Sequence, residues 1–277
     1  KTKKLKIVLD CGNGATYDIA PNIFWELGHH VISINNKPDG KNINYNCGAV
    51  NVNNLCKKVL EEKADIGFAF DGDGDRLIVV DNKGNEIDGD KIIALFAKFL
   101  INKNKTNSKF PIVTTVMSNL GLENFLLKDL GIKLKRSPVG DINVIEEMQK
   151  NKSFLGGEQS GHIILSEFSK TGDGILAALK ITEIISIINK SSSSIFDLYD
   201  NLPQIKVNIP YKKISEKNKK NINDLNMKNS KEKKIRVLIR FSGTEPLIRL
   251  LVEGQDLKAV QQRAKNLESE IRNIIGQ

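Results

Sequence analysis

From residue 6 to about residue 188, short runs of almost wholly apolar residues alternate with longer stretches whose apolar positions recur every three or four residues. The first kind reads as strands buried on both faces, the second as amphipathic helices. In the first ninety residues strands are expected at 6–10, 30–34 and 66–70, with extended chain again at 77–80. Helices are expected at 16–27, stopped by Gly28, and at 52–63, where Leu55, Val59 and Leu60 share a face. The pattern restarts after Asp88-Gly89-Asp90 with a helix at 91–101, a strand at 111–116, a helix at 122–130 stopped by Gly131, and a strand at 133–136. Asp141 is the expected N-cap of a helix at 142–150. Residues 154–165 read as a strand interrupted by a polar loop, and Asp173 starts the apolar helix 175–188. Alternation of this kind predicts βαβ units with right-handed crossovers.

Past the serine-rich stretch 191–194, expected to be a linker, the pattern changes. Strands are expected at 204–209, 235–241 and 247–253. Asp256 caps a last helix whose apolar stripe is Leu257, Val260, Ala264, Leu267, Ile271 and Ile274, the spacing of a helix lying on a sheet. The expected fold class is α/β: two βαβ-type domains with mixed sheets flanked by helices, at 1–88 and 89–194, plus a small C-terminal α+β domain at 195–277.

Composition narrows this only a little. A chain of 277 residues with 40% hydrophobic and 27% charged residues can bury two or three cores. Its longest apolar run, 175–188, is broken by Lys180, Thr182 and Glu183, and it falls short of the roughly 20 residues of a membrane span. The start of the chain carries no secretory pattern. Cys11, Cys47 and Cys56 are odd in number and lack zinc-ligand spacing, so reduced thiols and a cytoplasmic location are expected. The net charge of +9 would suit nucleic acid, anionic lipid or phosphorylated small molecules. The densest Lys/Asn segment, 212–234, has no aromatic residue to stack on bases and mixes in Glu216, Asp224 and Glu232. It reads as a solvated helix and loop, and neither a nucleic-acid nor a membrane partner is expected.

The chemistry is concentrated in Asp71-Gly72-Asp73-Gly74-Asp75-Arg76, directly after the apolar run 66–70. Three repelling carboxylates in five residues are what a hard divalent cation requires, with alternate glycines letting the backbone curl until the oxygens converge. A calcium EF-hand loop needs Gly at its sixth position and Glu at its twelfth; Arg76 and Asn82 stand there, so that reading fails. Gly12-Asn13-Gly14 opens like a dinucleotide fingerprint, but Tyr17 occupies the third glycine position, and a tight strand-to-helix turn explains both glycines. His29 and His30 read as surface or satisfied residues. In the loop 157–162, Glu158 and Ser160 would project the same way from an extended backbone and suit neighbouring sugar hydroxyls. His162 is expected to be at most a local hydrogen-bond partner. Arg240, Ser242, Gly243 and Thr244 compose a phosphate cradle between two strands, and Arg249 on the next strand is a weaker candidate.

A metal loop, a sugar loop and a phosphate loop in this order resemble the α-D-phosphohexomutase family. Further cues are Asp10-Cys11-Gly12-Asn13-Gly14-Ala15, Pro38-Asp39-Gly40-Lys41-Asn42-Ile43-Asn44 and Thr171-Gly172-Asp173-Gly174. The likeness covers the whole chain, and within the family it points to the branch acting on glucosamine phosphates. It implies that Asp71, Asp73 and Asp75 bind Mg²⁺, with Arg76 supporting phosphoryl transfer. It implies that Glu158 and Ser160 hold a hexosamine phosphate and that Arg240, Ser242, Gly243 and Thr244 grip the phosphate that does not react. Family members pass a phosphoryl group from a phosphoserine through a hexose 1,6-bisphosphate. Two departures follow. The family's phosphoserine lies in a Ser-His-Asn context in a first domain. Here Gly28, His29 and Gly161 precede the three histidines, so the chain corresponds to the second, third and fourth domains and its missing partner is that N-terminal domain. Relatives also carry Arg and an aromatic residue where this chain has Ile142 and Asn143. The same chemistry on glucose or mannose phosphates, and a binding module without catalysis, are the alternative readings.

Overall fold

A computed structural model of the chain describes residues 3–103, 110–229, 235–243 and 245–276. The described residues cluster into two compact units, one made of 1–118 and 122–199, the other of 119–121 and 200–277.

The first unit contains two sheets. β1 (Lys6–Asp10), β2 (His30–Ile34), β3 (Ile66–Phe70), β4 (Leu77–Asp81) and the short β5 (Glu86–Ile87) form one, in the order β2-β1-β3-β4-β5. β1 runs parallel to β2 and β3, and β4 returns antiparallel to β3. The second sheet takes β6 (Ile112–Thr115), β7 (Leu134–Ser137), β8 (Leu155–Gly157) and β9 (Ile163–Leu165) in the order β7-β6-β8-β9. β6 is parallel to β7 and β8, and β9 is antiparallel to β8. The two sheets therefore share one plan: second strand, first, third, then a reversed fourth. Both sheets are mixed, and the helices flank them.

Side-chain alternation sorts the faces. Ile7 and Leu9 of β1, Phe68 and Phe70 of β3, and Leu77 and Val79 of β4 join a core that continues into α1 (Ile19–Glu26), α3 (Gly89–Lys103), α4 (Leu120–Leu130), α6 (Gly174–Ile188) and the second sheet. Val8, Ala69, Ile78 and Val80 face the other way, onto Leu55 and Val59 of α2 (Asn53–Glu61). On the second sheet, Val113 and Ile164 pack against Val144 and Met148 of α5 (Asp141–Asn151). Strands covered on both faces explain the continuous apolar runs in the sequence.

Helix ends follow the expectation in two places and depart from it in two others. Asp173 caps α6 by accepting the amide of Leu176, and Asp256 caps α9 (Leu257–Ile275) by accepting that of Ala259. Asp141 is not a cap: Gly140 holds that position, at φ 121°, and Asp141 is already helical. The stretch 191–194 is not a linker either. Ser191 accepts the amide of Ser194 and starts α7 (Ser192–Phe196), while buried Ser192 donates to the Asp65 carbonyl at 2.6 Å.

The second unit carries the sheet β10-β12-β11, all antiparallel, from β10 (Gln204–Pro210), β11 (Ile235–Phe241) and β12 (Leu247–Gly254). Its core joins Val237, Ile239, Leu250 and Val252 to α9 and to α8 (Glu216–Asn229). The α9 stripe is buried as expected at Val260, Ala264, Leu267 and Ile271, while Leu257, at the helix start, is exposed. Among the described residues, no helix is long and apolar enough to cross a membrane.

Candidate functional site

In each sheet of the first unit the third strand turns back into a reversed fourth, and each of these turns carries a group of polar residues. In the first sheet the turn is Asp71–Arg76, between β3 and β4. Asp71, Asp73 and Asp75 each offer an oxygen within 4.8 Å of the others, the one such group of three among the described residues. Asp71 is buried, Asp75 half-buried and Asp73 exposed. Burial pushes the Asp71 carboxyl up to about 6; the neighbouring Asp75 and Asp73 charges add to this, while the Arg76 amide at 3.1 Å opposes it. A carboxylate driven toward its neutral form by desolvation and two like charges is one that a cation would relieve. The three residues therefore fit a hard divalent metal, with open positions left over. Arg76 reaches back over the loop, its Nε 3.6 Å from Asp71 and 3.9 Å from Asp75, and its side chain is 44% exposed.

The metal loop rests on the β1 turn. The Ala15 amide donates to the Gly72 carbonyl at 2.8 Å. A Cβ on Gly14 would stand 2.3 Å from that same carbonyl oxygen. Gly14 is thus required for close approach of the two loops, whereas Gly12, at φ 55°, is the residue that makes the turn.

In the second sheet the corresponding turn joins β8 to β9. Residues 158–161 form a tight hairpin, closed by Gly161 N–H to Glu158 O at 3.0 Å and Glu158 N–H to His162 O at 2.9 Å. The backbone is not extended here, so Glu158 and Ser160 do not meet by strand alternation. The turn brings them together instead, with Ser160 Oγ donating to Glu158 Oε2 at 3.3 Å. The other carboxylate oxygen accepts the Gly140 amide at 3.0 Å, so the entry to α5 fixes the Glu158 side chain. Glu158 is buried and Ser160 exposed. Of the two unusual residues after Asp141, Ile142 is exposed, and Asn143 Nδ2 donates to the Val139 carbonyl at 2.8 Å, bracing the same turn.

The two turns are joined. Arg76 and His162 form an antiparallel bridge, and the Leu77 amide donates to Gly161 O at 2.9 Å. Gly161 sits at φ 96°, where a Cβ would stand 2.3 Å from the Leu77 carbonyl oxygen, so no other residue allows this contact. His162 is 2% exposed, and its Nε2 accepts the Gly172 amide at 3.1 Å. Its Nδ1 is therefore the protonated nitrogen, and it donates to Asp75 Oδ2 at 3.0 Å. The histidine expected to be at most a local hydrogen-bond partner thus orients one carboxylate of the acidic loop, a partner distant in sequence. Its signal was its position inside the polar loop; the partner, 87 residues away, could not be read from spacing.

The second unit holds the residues expected to form a phosphate loop. Arg240 on β11 stands directly opposite Arg249 on β12. Burial, and then the Arg249 charge, pull the Arg240 pKa below its usual value. Like charges facing each other across a ladder are unfavourable unless an anion lies between them. Arg249 Nη2 binds Glu245 at 2.8 Å. The Ser242 amide is committed to the Leu247 carbonyl at 2.8 Å. Gly243 is exposed, with no heavy atom within 4 Å of the place a Cβ would take. Thr244 lies outside the described residues.

Comparison with known proteins follows the same division. The family model for phosphoglucomutase/phosphomannomutase, alpha/beta/alpha domain II, matches residues 1–84, that for alpha/beta/alpha domain III matches 88–204, and that for the C-terminal domain matches 204–270. The phosphoglucosamine mutase of Nautilia profundicola is 47% identical over 268 residues, covering 95% of this chain and 58% of the relative. That of Parvibaculum lavamentivorans is 46% identical over 258 residues, covering 92% of this chain and 57% of the relative. The chain thus spans less than two thirds of the length of these relatives. Among solved structures, a phosphoglucomutase/phosphomannomutase family protein from Burkholderia thailandensis has the same fold, with a TM-score of 0.84 at 24% identity over 99% of this chain and 61% of that one. Aspergillus fumigatus N-acetylphosphoglucosamine mutase, in complex with GlcNAc-6P and magnesium, superposes with a TM-score of 0.75 at 19% identity, over 99% of this chain and 62% of that one.

Proposed function

The chain belongs to the phosphoglucomutase/phosphomannomutase family, and from that membership we propose that it carries the metal-, sugar- and phosphate-binding parts of a phosphoglucosamine mutase. The reaction would interconvert glucosamine 6-phosphate and glucosamine 1-phosphate, an isomerase reaction supplying cell-wall precursor synthesis. The observation that carries the reading is the junction of the two turns, where His162 holds Asp75 of the acidic loop and the backbone of Gly161 and His162 ties that loop to the Glu158 turn. The amino-sugar assignment rests on the named relatives.

Asp71, Asp73 and Asp75 would hold Mg²⁺. When bound, the ion supplies charge stabilisation to a phosphoryl group in transfer. Arg76, exposed beside the carboxylates, would pair with the same group's oxygens. Glu158 already takes one hydrogen bond on each oxygen, and a carboxylate has about four acceptor sites, so lone pairs remain for two sugar hydroxyls. Ser160 presents its hydroxyl alongside. In the second unit, Arg240 and Arg249 would share a phosphate between their guanidinium groups, with Ser242, Gly243 and Thr244 completing the loop. Cytoplasmic location is part of the proposal and accords with free Cys11, Cys47 and Cys56.

Calorimetric titration with glucosamine 6-phosphate, glucose 6-phosphate and mannose 6-phosphate, each in Mg²⁺, tests the reading. Glucosamine 6-phosphate is expected to bind most tightly, and Glu158→Gln to lose most of that preference. Equal affinity for the three sugars would remove the amino-sugar assignment and leave a general hexose-phosphate site.

A further inference from the structure

Between the C-terminal end of α5 and the end of β9 lies a cavity of about 330 Å³, apart from the metal and sugar turns. Its floor is apolar, made by buried Met148 and Ile164 and half-buried Ile145. Its edge is polar and contains no carboxylate. Two serines of that edge have spent their protons on the backbone. Ser153 Oγ donates to the Leu155 carbonyl at 2.7 Å, and Ser166 Oγ to the Phe154 carbonyl at 3.2 Å. The hydrogen-bond donors that remain on the lining side chains are the ammonium groups of Lys152 and Lys170 and the amide of Gln149.

These two lysines differ from their neighbours. Lys135 and Lys150, around the same helix, are matched to Glu147 and Glu146 at 3.7 and 3.6 Å. Lys152 and Lys170 make no ion pair among the described residues. Lys152 also closes α5 in a left-handed conformation, φ 53°, a position that favours glycine or asparagine. Two unmatched cations over an apolar floor are complementary to one kind of molecule. The volume lies near the lower end of the roughly 300–1,000 Å³ of small-molecule sites, which suits a single compact ligand and not a peptide.

We propose that this cavity binds a small amphipathic anion, its oxyanion head held by Lys152, Lys170 and Gln149 and its apolar body laid on Met148, Ile164 and Ile145. The site is independent of the metal, sugar and phosphate loops, so its test does not depend on the activity proposed above.

The test follows the backbone amide signals of Ser153 and Ile164 in the 277-residue chain by NMR during titration with hexyl phosphate, hexanol or inorganic phosphate. Hexyl phosphate is expected to shift both signals saturably, at least about tenfold more tightly than either half-molecule. Inorganic phosphate also serves to occupy the Arg240 loop, which hexyl phosphate could otherwise report on. Lys152→Gln combined with Lys170→Gln changes exposed side chains only and should weaken hexyl phosphate about tenfold. Ile145→Trp should block it by filling the floor while leaving both charges in place. Unmoved Ser153 and Ile164 signals at millimolar hexyl phosphate would overturn the proposal, and so would hexanol binding as tightly as hexyl phosphate or unweakened binding in the double variant.

Discussion

A carboxylate that resists ionisation destabilises the fold that buries it, and Asp71 is such a group. Its pKa rises from 3.8 to about 6 on folding, so the folded state binds a proton more firmly than the unfolded one. The sign follows: the stability of the metal-free protein falls as pH rises through that interval, and at pH 7 the full penalty is present. The side chain is 12% exposed, so solvent screening removes little of it. Asp71→Asn keeps an oxygen for the Arg76 amide and removes the charge. In EDTA at pH 7 it should therefore stabilise the protein by about 1–2 kcal/mol, measured by urea unfolding. Added Mg²⁺ should stabilise the native sequence and leave the variant unchanged. A variant less stable than the native protein in EDTA would show that Asp71 is held by partners stronger than the repulsion it feels.

The elements of the first unit show why chemistry collects at two hairpins. In both sheets the third strand turns tightly into the reversed fourth, and both sheets place a polar loop there. The strands were readable because burial on both faces leaves unbroken apolar runs, and Asp173 and Asp256 were readable as caps because each precedes a long apolar periodicity. Asp141 was misread because the cap is Gly140, whose amide is needed by Glu158. The serines at 191–194 look like linker composition, yet Ser191 and Ser192 make the bonds that start α7. The repeated strand order and the bridge between hairpins leave no mark in residue identity, since sheet order depends on partners distant in the chain. Strand register likewise decides the phosphate loop: it sets Arg240 opposite Arg249, a pairing invisible in the sequence. Two guanidiniums can share one phosphate bidentately, and an ammonium cannot replace the fork. Arg240→Lys should lower affinity for glucosamine 6-phosphate about tenfold, or ~1.4 kcal/mol, equally with and without Mg²⁺. Unchanged affinity by calorimetry would mean that the loop does not hold the phosphate.

At the scale of the whole chain, the residues proposed to bind are present, and no residue that carries a phosphoryl group is evident among the described ones. Each unit has its own core, so the 277-residue chain is expected to fold and to bind sugar phosphate. Turnover needs more, because a mutase must donate one phosphoryl group before it takes another back. Near the metal loop, Cys11 is fully buried and its thiol is pushed up to about 12 by that burial, which keeps it from acting as a nucleophile. Thr16 is buried too and gives its hydroxyl proton to the Cys11 carbonyl. Three carboxylates and a cation stabilise charge but supply no phosphoryl group. The chain supplied with glucosamine 6-phosphate, catalytic glucose 1,6-bisphosphate and Mg²⁺ should therefore yield no glucosamine 1-phosphate above the protein-free blank. Product from a preparation shown by mass to contain this chain alone would sink the prediction. The residue to examine first for a phosphoryl adduct would then be Ser160, exposed beside the metal loop with its hydroxyl already donating to Glu158.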